Sequence, residues 1–178
     1  MGPSNEAMLY VLGSPCGPYY PEGMKPIKIL VDDSYVRAWP NGCGDRKVAG
    51  NYGPTIFSQA GAQEQGYSQC LFLIPHDGEL YISECGAMNI FFLIKSEQTG
   101  GSPQLVTPPL DGTILPGVTR DSILSLSREW GIYDVSERQI SVSVQWAKIL
   151  RLLLAVLELY VSTTACKKCR SRSWPRAR

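Results

Sequence analysis

The sequence predicts a mixed α/β (α+β) fold, and three observations carry that expectation. Apolar runs of strand length, QCLFLI and MNIFFLIK, dominate the middle of the chain. Stretches with helix signals recur at intervals, the clearest being LPGVTRDSILSLSREWG. Clusters of Gly and Pro punctuate the chain between them, as turns and loops require.

In chain order, SPCGPYYPEGMKP is too dense in Gly and Pro to be regular. Residues 27–31 read as a strand and YVRAWP as a second extended piece. NGCGDRKVAGNYGP is Gly-rich again, and residues 55–65 form a plausible helix that Gly66 stops. QCLFLI is a buried strand, and His76-Asp77-Gly78 turns it into ELYISE as a hairpin. MNIFFLIK is a further strand, SEQTGGSPQ a loop, and QLVTPP a short strand ended by its prolines. In the clearest helix, Thr119 can cap the start, Ile123, Leu126 and Trp130 line one face, and Gly131 supplies a left-handed stop. YDVSERQISV is then extended, and WAKILRLLLAVLELY a buried helix or a helix plus a strand. No internal repeat is visible.

The length, 178 residues, suits one large domain or a tight pair and allows an ordinary core. With 44% hydrophobic and 10% aromatic residues, the chain is not collagenous, coiled-coil or disordered. The most apolar stretch, 144–161, holds Lys148, Arg151 and Glu158, which argues against a transmembrane helix. The opening residues show neither a secretory nor a transit pattern, so a soluble intracellular protein is the expectation.

Charge is unevenly placed. The chain carries 17 basic and 16 acidic groups, yet six basic residues and no acidic one lie from Cys166 onward. The remaining body is acidic, which does not suit a nucleic-acid-binding face. Cys16, Cys43, Cys70 and Cys85 are scattered singly and read as reduced thiols. Cys166 and Cys169 form a CxxC in the basic tail, where a redox-sensitive pair fits better than zinc, though chance spacing fits as well.

Chemistry could sit at several places. Lys47 stands in a Gly-rich segment beside Arg46 and near Asn51 and Tyr52. A neighbouring cation and partial burial would depress its pKa toward that of a nucleophile, although a solvated loop charge is the commoner outcome. Glu84 ends an apolar strand; it is either an exposed strand end or a buried carboxylate that needs a cationic partner. Gly117-Val118-Thr119 opens a helix, and helix-start N–H groups bind anions. His76 reads as a turn residue, because the chain has one histidine and no GxSxG.

These pieces occur in a telling order. Lys47-x-x-x-Asn51-Tyr52-Gly53 precedes Glu84-x-Gly86-x-Met88-Asn89, which precedes Leu115-Pro116-Gly117-Val118-Thr119-Arg120. Together with SPCGPYY, YVRAW, TPPLDGTILPG and VSER, they resemble the branched-chain amino acid aminotransferases. Those are pyridoxal 5'-phosphate enzymes of the D-amino-acid-aminotransferase fold group, within the class IV aminotransferases. The similarity runs from about Ser14 to Arg138 and resumes at ELYVSTTACKKC.

The resemblance implies roles. Lys47 matches the lysine that forms the Schiff base with pyridoxal phosphate and shuttles the proton. Tyr52 matches the tyrosine that bonds the cofactor phenolate, and Glu84 the acid facing the pyridine nitrogen. Val118 and Thr119 match the helix-start amides that hold the phosphate. Tyr19 matches an aromatic on the substrate side, Thr164 and Ala165 the turn that meets the substrate carboxylate, with Thr164 also counted among the cofactor-binding residues. Cys166 and Cys169 match a redox-sensitive pair. No metal is implied.

The resemblance also implies a large cofactor-binding domain without the family's small N-terminal domain and C-terminal end. Residues 1–13 would be an extension, 14–165 the partial cofactor domain, and 166–178 the CxxC with its basic tail. Ala87 stands where many members have threonine, and Val161 and Thr163 where they have glycine. The implied activity is transfer of the amino group of leucine, isoleucine or valine to 2-oxoglutarate, in the synthesis or breakdown of these amino acids. The alternative is an impaired fragment acting through a subunit partner, as a homodimer or paired with a full-length chain. Neither nucleic acid nor membrane is expected as a partner, and the compartment would be cytoplasmic or mitochondrial.

Overall fold

The computed structural model describes residues 2–17, 26–96 and 101–142, together with the backbone of 149–154. Ten elements follow in order: β1 (Ile29–Asp32), α1 (Ala49–Tyr52), α2 (Thr55–Glu64), β2 (Gln69–His76), β3 (Glu79–Cys85), β4 (Ile90–Ile94), β5 (Gln104–Thr107), α3 (Val118–Trp130), β6 (Asp134–Glu137) and β7 (Ile149–Leu154). They build two sheets, β1-β2-β3 and β6-β5-β4-β7. The first is mixed, β1 running parallel and β3 antiparallel to β2. The second is mixed as well, with β4 antiparallel to β5 and β7, and β5 parallel to β6.

Strand periodicity sorts the apolar side chains into layers, because successive residues point to opposite faces. Leu71 and Leu73 of β2, and Ile90, Phe92 and Ile94 of β4, meet Ile82, Val106 and Ile140 in a shared central core. The alternate residues face outward to the helices. Cys70 and Phe72 pack with Ala62 of α2, while Phe91 and Leu105 pack with Leu124 of α3. Helices thus cover the outer faces of two sheets that share one core, which is the predicted mixed α/β class.

Most boundaries match the sequence reading. The hairpin turns at Asp77 (φ 49°) and Gly78 (φ 78°), Gly66 follows α2 with φ 78°, and Gly131 ends α3 in left-handed backbone at φ 65°. Three expectations are corrected. YVRAWP is not extended strand but an irregular loop, and it buries Arg37 and Ala38. Thr119 does not cap α3; Gly117 is the N-cap and no side chain caps it. The buried face of α3 is Arg120, Leu124 and Ser127, with Ile123 half-buried beside it, whereas Leu126 and Trp130 are 43% and 60% exposed. Residues 149–154 of WAKILRLLLAVLELY form strand β7; the remainder lies outside the described residues. Among the described residues, no helix is long and apolar enough to cross a membrane.

Candidate active site

An irregularity in β3 sets the geometry of the site. Leu71 pairs with Cys85 and Leu73 with Ile82, so two residues, Ser83 and Glu84, stand opposite Phe72. Such a bulge inserts one residue and re-aims the side chains around it. It lets Ile82 and Cys85 both face the core while Glu84 is turned inward and buried, 2% exposed. Immediately beyond, Cys85 bridges to Met88 in a tight turn through Gly86 at φ 58°. A side chain at Gly86 would be strained by the positive φ, and would also push the end of the Gln69 side chain aside, so the turn favours glycine.

A buried carboxylate demands partners, and Glu84 has them on both oxygens. Its Oε1 accepts from Asn89 Nδ2 at 2.8 Å and from the Leu115 backbone N–H at 2.9 Å. Its Oε2 lies 2.7 Å from Arg37 Nη2, itself buried, in an ion pair that approaches off the N–H direction. Arg37 Nη1 donates to Thr113 O at 2.9 Å. Burial pushes the Glu84 carboxyl up; the Arg37 charge, the Leu115 N–H and the charge of Lys47 pull it back down. Lys47 is therefore within electrostatic reach of Glu84.

Lys47 is presented by a loop fastened from below. Buried Asn51, in α1, donates through Nδ2 to Cys43 O and to Arg46 O, the latter at 2.7 Å. Gly44 abuts Thr113 so closely that a Cβ would come within 2.6 Å of its carbonyl oxygen. The loop is thus tied both to α1 and to the segment leading into α3. Lys47 itself is exposed, and its Nζ sits 5.6 Å from the centre of the Tyr52 ring. The solvated and the chemical readings of this lysine meet here: the amine is accessible, yet it lies over an aromatic ring and its charge is felt by a buried acid.

The third component is the start of α3. Gly117 is extended (φ −72°, ψ 138°), and Val118, 84% exposed, and Thr119 open the helix without a side-chain cap. Their N–H groups are the ones a helix leaves without intrahelical partners. Asn89 Nδ2 also donates to Leu115 O at 2.9 Å, and a Cβ on Gly117 would run into Asn89 Oδ1. Behind the first turn, Arg120 donates to Pro108 O at 2.9 Å and to Glu137 Oε2 at 2.7 Å; Arg128 takes Glu137 Oε1 at 2.7 Å. Hydrogen bonds from Arg128 and then Arg120 hold the Glu137 carboxyl below its usual range.

The structure therefore brings Lys47, Tyr52, Glu84 and the Val118–Thr119 helix start onto segments that contact one another. Tyr19, Thr164, Ala165, Cys166 and Cys169 lie outside the described residues. Cys16 and Cys43 are exposed free thiols, Cys70 and Cys85 buried ones. His76 is exposed beside the turn, 3.4 Å from Asp77. Two residues with evident work were not assigned from sequence: Arg37, the cation that a buried Glu84 calls for, and Asn89, which joins Glu84 to the α3 entry. Each lies inside a quoted motif, YVRAW and Glu84-x-Gly86-x-Met88-Asn89, but its partner is named only by the fold.

Comparison with known proteins places the sequence and the fold in a family. Residues 2–149 match the family model described as amino-transferase class IV. The chain is 49% identical over 144 residues to a branched-chain-amino-acid aminotransferase of Dictyostelium discoideum, covering 80% of this chain and 36% of that one. It is 45% identical over 172 residues to the mitochondrial branched-chain-amino-acid aminotransferase of Bos taurus, covering 95% and 42%. Cytosolic relatives of the same name occur too, as in Saccharomyces cerevisiae. The crystal structure of the Escherichia coli branched-chain amino acid aminotransferase superposes with a TM-score of 0.69 at 29% identity, over 83% of this chain and 46% of that one. The branched-chain amino acid aminotransferase of Thermobaculum terrenum, solved in its PLP form, shares the fold at 22% identity and a TM-score of 0.65, over 79% of this chain and 43% of that one. The chain spans about two fifths of the length of these curated relatives.

Proposed function

The chain belongs to the class IV aminotransferases, and from that premise we propose that it carries the lysine, ring-acid and phosphate-helix portion of a pyridoxal-phosphate-dependent branched-chain aminotransferase site. The substrates proposed are leucine, isoleucine or valine as amino donor and 2-oxoglutarate as acceptor. One observation carries the reading: buried Glu84 is held by Arg37, Asn89 and Leu115, the last two leading directly into the uncapped start of α3.

The residues fit the cofactor by their chemistry. An accessible amine lies within electrostatic influence of a buried carboxylate, and an open helix N-terminus follows a glycine whose Cβ would run into Asn89 Oδ1. When bound, pyridoxal phosphate supplies an electron sink that eases removal of the amino acid's α-proton. Lys47 supplies the amine that would tether the cofactor aldehyde and then exchange the proton. Glu84, kept ionisable by Arg37, would hold a proton on the pyridine nitrogen. Tyr52 would orient the ring through its phenolate, and the Val118 and Thr119 N–H groups would take the phosphate.

A second reading has its own support. Met8, Leu9, Tyr10, Val11 and Leu12 are between 75% and 95% exposed. A catalytically weak portion that associates with another subunit would present such a surface.

The test is to add pyridoxal phosphate to the purified chain, reduce with borohydride and map the adduct by peptide mass spectrometry. A phosphopyridoxyl group confined to Lys47 is the expected result, followed by turnover with leucine. Adducts spread over surface lysines, or none, overturn the enzyme reading for this chain.

A further inference from the structure

Asn89 occupies the seam between the two ends of the proposed cofactor site. It is 6% exposed, and its one amide nitrogen donates both to Glu84 Oε1 at 2.8 Å and to Leu115 O at 2.9 Å. The Leu115 N–H returns to the same Glu84 oxygen at 2.9 Å. Carboxylate, amide and backbone thus close a small ring, and two residues past Leu115 the chain reaches Gly117, against which Asn89 Oδ1 is packed. Removing the amide would leave a buried carboxylate oxygen and a carbonyl each short of a donor, and would free the loop that fixes where α3 begins.

Resting on the reading of this site as a pyridoxal-phosphate site, we infer that Asn89 is a positioning residue. It sets the spacing between the ring-binding carboxylate of Glu84 and the phosphate-binding start of α3, so the two ends of the cofactor are recognised as one unit. Asn89 touches neither end of the cofactor in this scheme; it acts through Glu84 and Leu115.

The experiment compares pyridoxal phosphate with pyridoxal, which lacks the phosphate. Each is titrated into the full chain, the visible absorbance of the lysine-bound aldehyde is followed, and borohydride peptide mapping assigns the signal to Lys47. The quantity read is the ratio of the two affinities. Asn89→Ala is expected to shrink the preference for the phosphorylated form by about tenfold, because binding at one end no longer places the other. A residue with a merely structural role weakens both aldehydes alike and leaves the ratio unmoved; that result overturns the inference.

Asn89→Asp keeps the shape but turns an acceptor toward Glu84. Its ratio is expected to be low at neutral pH and to recover in part in mild acid, where the protonated carboxyl has one O–H and restores one of the two donated hydrogen bonds. Should the alanine variant not fold, absence of that recovery overturns the inference on its own. A wild-type chain that gives no adduct on Lys47 overturns the underlying site reading as well, and the wild-type control alone reports that outcome.

Discussion

Arg37 Nη2 stands 2.7 Å from Glu84 Oε2, with the two side chains 1% and 2% exposed. A buried pair of this kind adds little over well-packed apolar residues, but losing one member strands the other charge. Arg37→Met should destabilise the chain by about 3–5 kcal/mol, and the Arg37→Met/Glu84→Gln double variant by less than the single one. Urea denaturation of wild type, Arg37→Met, Glu84→Gln and the double variant, four proteins, measures this. A double variant as unstable as the sum of its parts would show that the pair is not coupled.

The same variant has a pH signature. The Glu84 carboxyl is raised in the folded chain, burial outweighing its partners. A raised group binds its proton more tightly when folded, so its contribution to stability is full in acid and is lost as pH rises through its folded value. Without Arg37 that rise grows. Arg37→Met is therefore expected to be least damaging in mild acid and most damaging at neutral pH, read from denaturation midpoints at the two.

Glu137 has the opposite sign. Its carboxyl is lowered by hydrogen bonds from Arg128 and then Arg120, so its contribution is present above the ordinary carboxylate range and disappears as pH falls through its lowered value. Glu137→Gln should cost about 1 kcal/mol at neutral pH, because the carboxylate is partly solvated and its pairing with Arg120 and Arg128 is screened. The difference from wild type should close in acid. Thermal melts across that range check it; a constant difference would assign the loss to something other than charge.

How far this site was legible before the fold was known follows from where its signals come from. Residues 55–65, the His76-Asp77-Gly78 turn and the Gly131 end of LPGVTRDSILSLSREWG are local features, written in Gly and spacing, and the structure agrees with them. The face of α3 was not legible. Leu126 and Trp130 are the large apolar residues there, but Arg120 takes the inner position because Glu137 and Pro108 O wait for it in the fold. YVRAWP misleads for a similar reason, since Arg37 is held by a tertiary partner rather than by a ladder. Lys47 and Glu84 could be singled out as types, and the resemblance gave them roles, but their mutual reach depends on a bulge that no periodicity announces.

Gly117→Ala tests the entry to α3. A methyl there meets Asn89 Oδ1, so either the amide or the loop must move. The variant is expected to keep its helix content by circular dichroism yet bind pyridoxal phosphate about tenfold more weakly, the worth of one charge-assisted contact. Unchanged affinity would separate this loop from phosphate recognition.

The thiols should sort by burial. Desolvation, with Asp32 adding to it, pushes Cys70 up to about 11, and burial pushes Cys85 well above its ordinary value. Iodoacetamide is expected to label Cys16 and Cys43 in the native chain and to reach Cys70 and Cys85 only after denaturation. Peptide mass spectrometry gives the order, and early labelling of Cys85 would mean that the central core opens readily.

The run from Met8 to Leu12 should drive self-association, since five large apolar side chains in sequence are solvated. Light scattering of Leu9→Lys/Val11→Lys against wild type is expected to show a smaller species at equal concentration. Equal sizes would place any association on another surface.

Glu84 and the hairpin turn sit at opposite ends of β3, one near Cys85 and the other before Glu79. Five strand steps from Glu84 to Glu79, at about 3.3 Å each, put roughly 17 Å between the buried carboxylate and the strand end next to the exposed tip. That distance makes Asp77–Gly78 a natural handle: a fluorophore or affinity tag attached there would stand clear of Glu84 while joined to the same strand. Resonance energy transfer from such a label to an absorbing ligand would then report occupancy without placing anything foreign near the reacting groups.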